Sequence, residues 1–158
     1  MLASLLLLLA AAPPPDFQYG AAAVDLPAEV TPVKALAAWH ALVVERGLAP
    51  DVLDSRDGFA LGDWQSRPHV CAGSLRYHAV VAAEKTLRLY VVAECLGTGA
   101  TLDRAALGLA EEMVKRLGGR GTFRPAKTAE VPQRLWEART FRGNNRAPEA
   151  AAPAPEAH

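Results

Sequence analysis

Cysteine is scarce in this chain, and so are aromatic residues. Two Cys and a 6% share of Phe, Trp and Tyr stand among 158 residues. Two thiols exclude a multi-bridge knot and a four-cysteine zinc site built by one chain. Net charge is missing too, because 17 Lys+Arg balance 17 Asp+Glu. That balance excludes a uniformly basic nucleic-acid binder and an acidic disordered chain. No apolar run reaches the ~20 residues that a membrane-spanning helix needs. What is present is a 51% hydrophobic content, inflated by 32 Ala, in a chain long enough for one domain.

The ends differ from the middle. Residues 1–12 read MLASLLLLLAAA, the length of a signal-peptide apolar region followed by small residues. Residues 1–23 are therefore expected to be a signal peptide and linker, with Ala10–Ala12 or Ala21–Ala23 as the cleavage motif. The expected location is outside the cytosol, periplasmic or extracellular. Residues 147–158 read APEAAAPAPEAH. They carry no large apolar group to offset ordering entropy, so a disordered tail is expected there.

Between them the patterning is regular. Thr31-Pro32 is an N-cap followed by a proline tolerated at the first helical position. Val33, Leu36, Trp39, His40 and Val43 then recur at helical spacing, and Gly47 and Pro50 close the element, giving a helix over 31–46. Short strands are expected at 52–55 and 59–64, joined by Arg56-Asp57-Gly58. Leu75, Tyr77, Ala79 and Val81 pair in parity with Leu87, Leu89, Val91, Ala93 and Cys95. A three-residue turn keeps odd positions opposite odd ones and makes one apolar face. Thr101 is expected to cap a second helix that carries Leu102, Ala106, Leu109, Met113 and Leu117 to Gly118. The pattern predicts an α+β domain over 31–118. Its antiparallel sheet has three to four strands and two covering helices, in the order αβββα.

Three stretches carry a family resemblance: "AWHALVVERGL", "DSRDGFALGDWQSR" with Trp64 and Arg67, and "TLDRAALGLAEEMVKRLG". With the paired strands between them, residues 31–118 resemble the helix-grip domains of BamC-type outer-membrane assembly lipoproteins and related envelope proteins. The resemblance implies a binding or scaffolding role and supplies no catalytic residues. A lipidation cysteine and a second domain copy, both part of the family pattern, are missing here.

Cys71 and Cys95 flank the hairpin on its apolar-face parity, and in an oxidising compartment they are expected to pair, with a bulge at Ala72-Gly73 closing the register gap. The competing chemistry is a small thiol hydrolase or metal-binding protein using Cys71, His69 and His78. Parity sets His78 on the opposite face from Cys95, and H-x-C is not a structural-zinc spacing. The carboxylates Asp51, Asp54, Asp57 and Asp63 do not follow a calcium-loop pattern. The glycine pairs near 97–99 and 118–121 lack a nucleotide fingerprint. No enzyme activity and no cofactor are expected.

Charge is segregated along the chain. Residues 115–146 hold nine basic and two acidic side chains. Arg120, Arg124, Lys127, Arg134, Arg139 and Arg142 alternate there with Trp136 and Phe141, and 131–142 has the pattern of a short amphipathic helix. Such a basic extension, expected over 119–146, suits an acidic envelope partner or an anionic surface. The competing reading packs Trp136 and Phe141 back on the domain. An exported protein does not meet nucleic acid routinely, so that partner is not expected. The expected function is a non-enzymatic exported envelope domain that binds or scaffolds.

Overall fold

The computed structural model describes residues 17–99 and 101–141. The chain forms β1 (Gln18–Asp25), α1 (Pro32–Glu45), β2 (Pro50–Asp54), β3 (Phe59–Gly62), β4 (Gln65–Ser66), β5 (Ser74–Ala83), β6 (Leu87–Leu96), α2 (Leu102–Arg116), β7 (Thr122–Ala126) and α3 (Gln133–Phe141). One antiparallel sheet runs in the order β2-β3-β5-β6-β1-β7, with β4 also paired to β5. The mixed α/β class with an antiparallel sheet is as expected. The strand number is not: seven strands and three helices are described in place of three to four and two.

Local rules place the first helix. The Thr31 hydroxyl accepts the Lys34 N–H at 3.2 Å, Pro32 follows it, and Gly47 ends the element at a φ of 64°. Ala35, Leu36, Trp39, Leu42 and Val43 face the sheet. Val33, expected on that stripe, is 58% exposed. Thr101 holds the expected N-cap position of α2, its carbonyl accepting the Ala105 N–H at 2.9 Å, but its side chain makes no capping bond. Its hydroxyl reaches the carbonyls of His69 and Val70 at 3.3 and 3.5 Å instead.

The central hairpin adopts the expected parity, with Leu75 opposite Cys95 and Tyr77 opposite Ala93 across a three-residue turn. Its odd positions join α1 and α2 in the larger core. Its even positions are buried as well. Val80, Ala82, Tyr90 and Val92 pack under Val131, Leu135 and Trp136 of the C-terminal segment. The sheet is therefore covered on both faces, α1 and α2 on one and α3 on the other.

The expected domain bounds are corrected at both ends. Residues 18–23, assigned to a leader and linker, lie in β1, which hydrogen-bonds to both β6 and β7. Cleavage after Ala23 would remove most of this strand. Residues 119–141, assigned to an extension, supply an edge strand and the cover of the second face. The small side chains of β1 have a packing reason. A Cβ on Gly20 would fall 2.3 Å from the Leu102 carbonyl carbon, so α2 crosses β1 in near backbone contact. The apolar leader and the Ala/Pro tail lie outside the described residues.

Candidate binding site

Two groups of charged side chains stand out, one closed and one open. The closed group lies on the α3 face. Arg76 and His78 project from β5, Glu94 from β6 and Arg139 from α3, all at 0–1% exposure. Arg76 Nε donates to one Glu94 oxygen and Arg139 Nε to the other. His78 Nδ1 accepts the Gly62 N–H at 3.2 Å, so the imidazole proton sits on Nε2, 3.6 Å from the Glu94 carboxylate. Burial pushes the His78 pKa down and keeps the ring neutral. Burial alone would raise the Glu94 pKa. The facing His78 N–H and the charges of Arg76 and Arg139 outweigh it and hold the pKa at about 2.

Among the described residues two guanidiniums share this one carboxylate, and aromatic faces lie beside both of them. The Arg76 guanidinium lies 4.3 Å from the Trp64 ring centre and the Arg139 guanidinium 4.6 Å from that of Phe17. Phe17 and Trp64 stack on each other at 6.0 Å. Trp136 meets Tyr19 edge-on at 5.0 Å. Enclosed between the sheet and α3, the cluster joins the helix to the strands.

The open group lies on the other face. A cleft of about 290 Å³ is bounded by the end of α1, the segment 67–70 and α2. Arg46, Arg67, His69 and Arg104 line it beside a floor of Leu48, Val70, Tyr77, Ala105, Gly108 and Leu109. Glu112 is its one carboxylate and is taken by Arg46, whose Nε donates at 3.0 Å. Arg67 donates to main-chain carbonyls at Gly47 (3.1 Å) and Arg46 (3.4 Å) and to Gln65 at 3.3 Å. Among the described residues neither Arg67 nor Arg104 has a carboxylate within ion-pair distance. Burial raises the Tyr77 phenol pKa, while the Arg67 charge pulls the other way. A second depression of about 330 Å³, lined by Lys115 and Arg116, shares the Arg46–Glu112 pair.

The wall of this cleft is pinned from behind. Cys71 and Cys95 form a disulfide with a Cα separation of 5.9 Å. The intervening turn is secured by the Ala72 N–H bond to the Thr98 carbonyl at 2.8 Å. The pairing expected from parity is thus present, and it removes the thiol that a hydrolase or a thiolate metal site would need. His69 is exposed near the cleft, while His78 is buried across the sheet. The three residues of that competing chemistry do not converge.

The expected basic face is also revised. Arg120 is exposed and paired with Glu29; Arg124 is paired with Glu130 at 3.1 Å; Lys127 and Arg134 are exposed. Trp136 and Arg139 point inward, so the eight residues do not share a solvent-facing surface. For Trp136 the packed-back reading holds: the β7 turn delivers it to the uncovered face of the sheet. The Phe141 side chain and Arg142 lie outside what is described. Of the cleft residues, Arg67 is marked in the sequence only by the family resemblance, and its grouping with Arg46 and Arg104 has no sequence signal because the three come from separate elements. Among the described residues no group of His, Cys, Asp and Glu is arranged to hold a metal ion, and no helix is long and apolar enough to cross a membrane. Neither a scan of protein-family models nor a search of curated protein sequences finds a match to this chain.

Proposed function

We propose that this chain is a non-catalytic binding domain of an exported, oxidising environment, and that it holds an acidic segment of a protein partner in the cleft between α1 and α2. The carrying observation is the pairing of two guanidinium groups, Arg67 and Arg104, that have no ion-pair partner among the described residues, with an apolar floor in one concave site. Carboxylates on an extended chain suit such a site, since guanidinium binds carboxylate with directional, charge-assisted hydrogen bonds. The buried disulfide fits a compartment where thiols oxidise. The binding role agrees with the helix-grip resemblance of residues 31–118.

A protein segment is favoured over a lipid surface on shape and on the fate of Trp136. An interfacial helix needs its apolar side chains free to insert, and here Trp136 is buried under the sheet. The cleft also has a length. From Arg104 to Glu112 α2 advances about 12 Å, which about four extended residues would span.

The test uses fluorescein-labelled hexaglutamate and fluorescence anisotropy on the full chain. Binding should weaken as salt rises, because exposed charges are screened. Arg104→Glu should weaken it by about tenfold or more. Equal binding by wild type and Arg104→Glu, or sedimentation with anionic vesicles but no hexaglutamate binding, overturns the proposal.

A further inference from the structure

Gly108 sits in the middle of α2, where glycine is the least favourable residue after proline. Neither backbone nor packing accounts for it. Its φ is not positive. A Cβ placed on it meets no heavy atom within 4 Å, whereas at Gly20 a Cβ would collide with α2. The fold accepts alanine at 108 without displacement and would gain helix propensity from it. What Gly108 does have is a place in the cleft floor. Arg104 lies one turn before it and Glu112 one turn after it, on the same face of the helix. The bare Cα is thus flanked by the Arg104 guanidinium and by the Arg46–Glu112 pair.

We propose that Gly108 is the specificity-determining residue of the cleft, where the main chain of an extended acidic segment lies directly against α2 while its carboxylates reach Arg104 and Arg67. Close approach of a ligand to backbone is a use for which glycine alone is suited. The inference rests on the binding function proposed above and adds the seat of the ligand's main chain to it. A side chain at 108 would lift the segment off the floor and move its carboxylates out of reach of Arg67, which is held by carbonyls at Arg46 and Gly47 and cannot follow.

Gly108→Ala and Gly108→Leu separate this role from a structural one. Both variants should fold with unchanged circular dichroism, and Gly108→Ala should melt above the wild type. Affinity for labelled hexaglutamate should fall in the order Gly, Ala, Leu, with Leu weaker than wild type by about tenfold or more. If wild type binds and Arg104→Glu does not, yet Gly108→Leu binds within about twofold of wild type, the role of Gly108 is refuted and the binding function stands. If wild type fails to bind hexaglutamate at all, the binding function fails and this inference with it. Full displacement of the peptide by millimolar inorganic phosphate also refutes main-chain seating, because it marks a site for a small anion.

Discussion

Arg139 and Glu94 are separated by 45 residues in the chain and meet in the interior, Arg139 Nε donating to the carboxylate oxygen that Arg76 leaves free. The contact joins the last described helix to the middle of the sheet. It also gives Glu94 two cationic partners, so its removal and the removal of one partner have unequal consequences.

Glu94→Gln removes the carboxylate charge that two buried guanidiniums share and should cost about 3–5 kcal/mol, as breaking a buried ion pair does. Arg139→Met leaves Glu94 paired with Arg76 and should cost less. Urea unfolding of both variants measures the order. An Arg139→Met cost equal to or above that of Glu94→Gln contradicts the shared role of the Glu94 carboxylate.

Stability should fall with acid in two stages. Unfolded His78 takes up a proton near its ordinary 6.5, while burial lowers the folded value, so the unfolded chain binds the extra proton and stability declines below about pH 6.5. Glu94 shifts from 4.5 to about 2 on folding, so its contribution is whole above about pH 4.5 and is lost as pH falls toward 2. Urea midpoints from pH 8 to 3 should show both declines, and His78→Gln should remove the upper one. A flat profile between pH 7 and 5 in the wild type argues against a neutral, buried His78.

Reducing the Cys71–Cys95 bridge releases a loop that spans 24 positions, worth roughly 3.5 kcal/mol in the chain-entropy account. The melting temperature should drop by on the order of 10 °C. The wall at 67–70 should exchange amide hydrogens faster, since the bridge lies just behind it. Two freely alkylated thiols in oxidised protein would show that the bridge is not formed.

Trp136→Ala should cost about 3–5 kcal/mol, because the ring is buried between α3 and the sheet. Arg134→Glu, two positions away and exposed, should change stability by less than about 0.5 kcal/mol. Thermal melts of the two variants decide it. A small loss at Trp136 would mean that α3 does not cover the sheet in solution.

Short-range chemistry was legible in the sequence. The Thr31-Pro32 start and Gly47 stop of α1, the odd-to-odd register of β5 and β6, and the pairing of Cys71 with Cys95 follow from capping, strand parity and cysteine placement, all properties of neighbouring residues. Residues buried on both sides were not legible. Gly20-Ala21-Ala22-Ala23 has no alternation, because α2 lies against one face of β1 and the α3 segment against the other, so a central strand looked like the end of a leader. Arg76, His78 and Glu94 share the face opposite the apolar odd positions, and only α3, brought back across the sheet, turns that face inward and adds Arg139 to Glu94. The cleft was invisible in principle, since Arg46, Arg67 and Arg104 become neighbours only when α1, the β4–β5 loop and α2 are packed together. Neighbouring residues set where the chain turns, caps and alternates. Tertiary packing decided which of its charges are buried partners and which face solvent, because burial is a property of what comes to lie on top of a residue.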